Sequence, residues 1–116
     1  MSRLAETLSF QQYETRAGET ARYPGRGSGS LVYPVLGLNG EAGEVAEKLK
    51  KIVRDRGGEV GDERAALIKE LGDVLWYVAA CCHELGVSME EVAQGNLEKL
   101  ASRRERGVLH GSGDER

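Results

Sequence analysis

A chain of 116 residues is the right length for one domain and too short for two. Only 40% of it is hydrophobic and 5% aromatic, a thin core for a lone chain of this size, and association of several copies is the natural remedy. With 19 acidic against 16 basic residues and a net charge of −3, a nucleic-acid-coating protein is excluded, whereas a small phosphorylated ligand reached through a metal ion stays compatible.

The N-terminal MSRLAETLSFQQYETR lacks the continuous apolar stretch of a signal peptide. No segment approaches the ~18 apolar residues that span a bilayer. The pattern between glycine-rich joints is helical. A first helix is predicted over about Ala5–Ala21, weakly amphipathic, with Gly18 inside it and Tyr23-Pro24 ending it. The GRGSGS run at 25–30 lacks the Lys-Ser/Thr ending of a phosphate-binding P-loop and reads as a flexible connection or a lid. A second helix is predicted over about Leu31–Asp55, with Pro34 tolerable near its start. A third spans about Asp62–Leu85, with Asp62 as N-cap and Gly86 as stop. A fourth opens on the capping-box pattern Ser88-Met-Glu-Glu91 and runs to about Arg106. The tail LHGSGDER carries no helical signal. No run alternates with strand period, so the fold class predicted is all-α, a four-helix bundle completed by oligomerisation. Cys81 and Cys82 are adjacent and poorly placed to bridge each other, which suits buried thiols in a reducing cytoplasm.

At 100° per residue, Leu31, Val35, Leu38, Ala42, Val45, Ala46, Leu49 and Val53 form one stripe of the second helix, flanked by Glu41, Glu44 and Lys48. Leu67, Leu71, Val74, Leu75 and Val78 form the stripe of the third, with Glu70 and Asp73 beside it and Tyr77 a turn further on. Both acidic pairs lie almost equally far from the joint at Gly57-Gly58. An antiparallel hairpin therefore brings four carboxylates to one height. Two like charges about 5 Å apart at an effective dielectric near ~20 repel by about 3 kcal/mol. Either the helices hold the pairs apart, or some carboxylates keep a proton, or a divalent cation sits between them. Rigid carboxylate oxygens suit Mg²⁺ or Mn²⁺. The competing reading, ordinary Glu/Lys helix surface, is weakened because both pairs border apolar stripes.

At these residues the chain resembles the all-alpha nucleoside triphosphate pyrophosphohydrolases of the MazG-like type. The likeness lies in GLNGEAGEVAEKLKK at 37–51, KELGDVLWYVA at 69–79 and NLEKLASRRERG at 96–107, and more loosely in QQYETRAGETARYP at 11–24 and GSGD at 111–114. It covers nearly all of the single domain, 1–116. The resemblance implies a four-helix fold assembling as a homodimer or homotetramer, with Mg²⁺ (Mn²⁺ as substitute) held by Glu41, Glu44, Glu70 and Asp73. It implies hydrolysis of standard or modified (deoxy)nucleoside triphosphates to the monophosphate and pyrophosphate, a house-cleaning activity. Many relatives carry E-E-x-x-E in the first motif, whereas here Gly40 precedes Glu41, which leaves open the number of metal ions and the group that activates water. Glu44 or Glu47 are candidate bases.

For the substrate side, Lys48 is near enough to reach a phosphate and Tyr77 to pack on a base or sugar. Asn96, Lys99 and Arg103 share one face of the fourth helix, in an N-x-x-K-L stretch that in similar proteins lies near the triphosphate. A solvated cationic helix end is the plain alternative. The apolar run Val74–Cys82 predicts a subunit interface on the third helix, with Trp76 packing there. Phosphoribosyl-ATP or dUTP/dCTP as substrate, or a non-catalytic helical metal-binding module, remain the alternatives.

Overall fold

The computed structural model describes residues 7–116. Four helices in chain order, α1 (Phe10–Gly18), α2 (Val32–Arg56), α3 (Arg64–Leu85) and α4 (Met89–Glu105), make up its regular structure, with no strand among the described residues. The fold is all-α.

Local chemistry explains each boundary. α1 begins at Phe10, later than the Ala5 predicted, because Ser9 and Gln12 form a reciprocal capping box: Ser9 Oγ accepts from the Gln12 N–H at 3.1 Å and Gln12 Oε1 from the Ser9 N–H at 2.8 Å. Residues 5 and 6 of the predicted span lie outside the described residues. α1 also stops early, at Gly18, and tight i+3 turns carry the chain through Ala21. Pro34 occupies the first turn of α2, where a missing N–H costs no intrahelical bond, and is fully buried. α2 ends at Gly57, whose N–H and that of Gly58 close onto Val53 and Ile52 carbonyls. Asp62 does not cap α3. Glu63 takes the cap position without a side-chain cap bond, and its carboxylate instead pairs with Arg56 across the turn at 3.2 Å. At α4, Ser88 Oγ accepts from the Glu91 N–H at 3.0 Å, and Glu14 of α1 accepts from the Met89 N–H at 2.8 Å. A carboxylate there also complements the helix dipole.

α3 is the hub. It packs against α1, α2 and α4, whereas α2 touches α3 alone among the helices. The α2–α3 hairpin therefore projects from the α1–α3–α4 cluster, and the radius of gyration is 17.2 Å against roughly 13–14 Å for a compact chain of this length. One close approach sets the hairpin's spacing: the Tyr77 ring of α3 lies over Gly37 of α2, where any Cβ would collide with it. The buried hydrophobic residues are few, Ala21, Tyr23, Ala79, Ala80, Cys82 and Met89 around α1, α3 and α4, with Ile52 at the hairpin's tip. The apolar stripes of the two hairpin helices are left largely open: Val35, Leu49 and Val53 on α2, and Leu71 and Leu75 on α3, are exposed.

Trp76 packs within the chain, edge-on to Tyr23 (6.3 Å) and Tyr77 (5.0 Å), and its indole N–H donates to Thr20 Oγ1 at 3.1 Å. The free apolar surface of α3 belongs instead to Ile68, Leu71 and Leu75. The tail is an ordered turn closed by Arg116 bonds to the Val108, Leu109 and Gly113 carbonyls and tied to α4 through Asp114. No helix of the described residues is long and apolar enough to cross a membrane.

Candidate metal centre

The antiparallel hairpin brings carboxylate oxygens of Glu41 on α2 and of Glu70 and Asp73 on α3 to within 4.8 Å of one another. Glu41 and Glu70 are half-buried and Asp73 is exposed at the rim. Glu44 stands outside this triad and is exposed: the rotation of α2 turns Glu41 toward α3, whereas Glu70 and Asp73, also three apart, both reach the site from α3. Lys48 Nζ lies 3.7 Å from Glu70 Oε1, a cation one turn beyond Glu44 at the edge of the acids. Glu47 is turned away and paired with Lys50 and Lys51, at 3.1 and 3.9 Å.

The electrostatics carry the cost of this crowding. Burial first, then close approach to Glu70 and the charges of Asp73, Glu70 and Glu44, push the Glu41 carboxyl above its ordinary value. Three oxygen-donor side chains on rigid helices, partly desolvated and held at mutual repulsion, fit a hard divalent cation. A zinc-type site is a poor fit, since among the described residues no nitrogen or sulfur donor joins the triad.

Beside the acids runs an open groove of ≈ 400 Å³ lined by Thr20, Glu41, Asp73, Trp76 and Tyr77. Its lining thus joins two of the acids to two aromatic rings. Burial, the adjacent Tyr33 phenol and the Glu41 and Asp73 carboxylates all push the Tyr77 hydroxyl up, so this ring borders the acids directly.

Residues 34–108, which carry both acidic pairs, match the family model described as the MazG nucleotide pyrophosphohydrolase domain. The chain belongs to the MazG nucleotide pyrophosphohydrolase family. It is similar to the "Gene 37 protein" of Mycobacterium phage L5, 50% identical over 109 residues that cover 90% of this chain and 96% of that protein. It is similar also to "Uncharacterized protein YvdC" of Bacillus subtilis (strain 168), 41% identical over 69 residues, 54% of this chain and 65% of that protein. No solved structure matches the chain significantly.

Within this family domain the remaining candidates of the sequence reading lie apart from the triad. Asn96 is exposed on α4, and α4 makes no contact with α2. Lys99 and Arg103 converge on the tail, not on the groove. Lys99 Nζ lies 3.3 Å from Asp114 Oδ1, and the buried Arg103 guanidinium donates to Asp114 Oδ1 at 3.1 Å and to its carbonyl at 3.0 Å. The Cys82 thiol is buried and Cys81 half-buried, and burial raises both above the usual thiol value, so neither is a ready nucleophile.

Two residues of consequence escaped the sequence reading. Thr20 lines the groove from the segment after α1. Glu84 is buried on α3 and collects donors from a loop far away in sequence. Its signal was available, since Glu84 is the one acid between Val74 and Leu85.

Proposed function

We propose that this chain hydrolyses (deoxy)nucleoside triphosphates, standard or modified, to the monophosphate and pyrophosphate, using a divalent cation held by Glu41, Glu70 and Asp73. The observation that carries the reading is the convergence of these three carboxylates beside an aromatic-walled groove, in a chain of the MazG family. Glu44, whose charge already reaches Glu41, is the fourth oxygen donor by a change of rotamer, or the base that takes the proton of the attacking water. Mg²⁺, with Mn²⁺ as substitute, supplies charge neutralisation at the phosphates and a lower pKa for water when bound there. Lys48, beside Glu70, meets phosphate oxygens as a compact positive charge. Trp76 and Tyr77 offer π faces to the base or sugar at the other end of the groove. Water attacks phosphorus, the bond between the α- and β-phosphates breaks, and pyrophosphate leaves.

A homodimer or homotetramer completes the bundle in this reading. Its support is the set of exposed apolar side chains on the hairpin, Leu36, Leu49, Val53, Ile68, Leu71 and Leu75. Lys99 and Arg103, distant from the triad within one chain, and the exposed Asn96 reach a triphosphate only across such an assembly.

The test is product analysis after incubation with a panel of deoxynucleoside triphosphates and Mg²⁺. Monophosphate and pyrophosphate are expected, with turnover lost in Glu41→Gln and Asp73→Asn at unchanged helicity. Orthophosphate as product, or turnover surviving in both variants, refutes the reading.

A further inference from the structure

The glycine-rich loop after α1 is an anion-binding nest, and its anion is a side chain of the protein. Backbone φ alternates in sign along it: Gly25 at +81°, Gly27 at +83° and Gly29 at +84°, while Arg26 and Ser28 between them have no positive φ. Such alternation turns successive N–H groups toward one concave side. Glu84 fills that side. The Gly27 N–H donates to both its oxygens, at 3.1 and 2.9 Å, and the Gly29 N–H to Oε1 at 2.9 Å. The Tyr23 hydroxyl completes the set, donating to Oε2 at 2.5 Å. The loop predicted as a flexible connection or lid is thus clamped. Glu84 is 8% exposed, and the Tyr23 hydroxyl first and the Gly27 N–H next hold its carboxyl down at about 2.

The clamp leads to the groove through aromatic contacts. Tyr23 stacks on Tyr33 at 5.8 Å with planes 6° apart and meets Trp76 edge-on. Trp76 is edge-on to Tyr77, and these two rings form the aromatic part of the groove's lining, beside the acids. Glu84 is 11 residues beyond Asp73 on the same helix, about 16 Å along its axis, so it cannot touch the metal triad itself. Its influence runs through Tyr23 to the aromatic wall.

We infer that Glu84 is a positioning residue for nucleotide binding: by clamping the glycine loop and Tyr23, it sets the Trp76–Tyr77 wall on which the nucleobase stacks. This rests on the groove being the nucleotide site, as argued above. The predicted signature is a split between binding and chemistry. Glu84→Gln keeps the size of the side chain but replaces one acceptor oxygen by an amide NH2, a donor set against the N–H and O–H donors of the clamp. Gly27→Ala meets no neighbouring atom within 4 Å, so its only effect is to oppose the positive φ of the nest. Both changes loosen the same clamp from opposite ends.

Trp76 is the sole tryptophan, so quenching of its emission by an α,β-methylene deoxynucleoside triphosphate with Mg²⁺ reads the groove without turnover. Glu84→Gln and Gly27→Ala should each weaken that binding, and raise KM, about tenfold, with kcat changed less than about threefold. The double variant should be little worse than the worse single one, because the two act as one unit. Mn²⁺ affinity, read by electron paramagnetic resonance, should be unchanged. Tyr23→Phe, which removes one donor and keeps the ring, should show a weaker form of the same split and covers the case of a Glu84 variant that fails to fold. Unchanged nucleotide affinity in these variants, or parallel loss of kcat and Mn²⁺ affinity, overturns the inference while leaving pyrophosphohydrolysis standing. Nucleotide quenching of Trp76 that weakens as stated in a protein releasing no pyrophosphate supports it and refutes the hydrolysis. No nucleotide binding to the wild type overturns both.

Discussion

Gly37→Ala puts the link between helix packing and groove shape under direct strain. A Cβ at this position would lie 2.6 Å from Cδ1 of Tyr77 and closer still to Cε1 and Cζ. Ordinary contact begins near 3.4 Å, so the ring or the α2 backbone must move by more than the 0.8 Å shortfall at Cδ1, because Cε1 and Cζ lie closer. The ring has little freedom, since Trp76 lies edge-on to it at 5.0 Å. Overpacking of this kind costs about 1–3 kcal/mol, and exchanging Gly for Ala in a helix returns about 1 kcal/mol. The net destabilisation is therefore about 0–2 kcal/mol, a modest fall in Tm. Activity should fall further, because a displacement near 1 Å in a positioned site is worth on the order of a hundredfold in rate. Gly43→Ala, on the same helix with nothing within 4 Å of its Cβ, is the stability control and should raise Tm. Thermal melts and steady-state kinetics on the two variants make the comparison. A Gly37→Ala protein with wild-type kcat/KM, or a Tm raised as much as that of Gly43→Ala, would refute the claim that the Tyr77–Gly37 contact sets the groove.

Lys48→Met removes the cation nearest the triad, so Mn²⁺ should bind more tightly by paramagnetic resonance while KM for the triphosphate rises; a fall in both would show Lys48 to be merely structural. Acid titration should separate two carboxylates. Glu84 is held below its ordinary 4.5 at about 2, so the stability it contributes is full above pH ~4.5 and lost as pH falls toward 2, with Trp76 emission reporting the release of the loop. Glu41 has the opposite sign: its pKa is raised, so the metal-free protein loses stability as pH rises through and just above the carboxylate range, and Mg²⁺ should abolish that loss in the wild type but not in Asp73→Asn. Arg103→Ala removes a buried guanidinium whose Nη2 holds the tail through the Asp114 carbonyl and carboxylate, and should cost about 1–3 kcal/mol and expose residues 107–116 to limited proteolysis.

The helices and the axial register of the acids were legible because the rules behind them act over a few residues. Gly57 and Gly86 end helices through left-handed caps, the usual place of a glycine just past a helical pattern. Equal spacing of Glu41/Glu44 and Glu70/Asp73 from that first turn set them at one height before any packing was considered. The start of α1 is equally local, encoded in the Ser-x-x-Gln at 9–12.

What only the tertiary structure decided depends on how the helices rotate against one another and on contacts remote in the chain. Rotation of α2 turns Glu41 toward α3 and leaves Glu44 in solvent, a choice between two residues that the i, i+3 pattern treats alike. The Glu84 clamp joins groups 55 to 61 residues apart, and Lys99 and Arg103 find Asp114 only because the tail folds back on α4. By itself, then, the sequence determined an all-helical chain with two acidic pairs at one level, since backbone propensity and helical period are local. The structure decided which acids meet, which apolar stripe stays bare and what the glycine loop holds, since those are set by side chains from different segments competing for the same space.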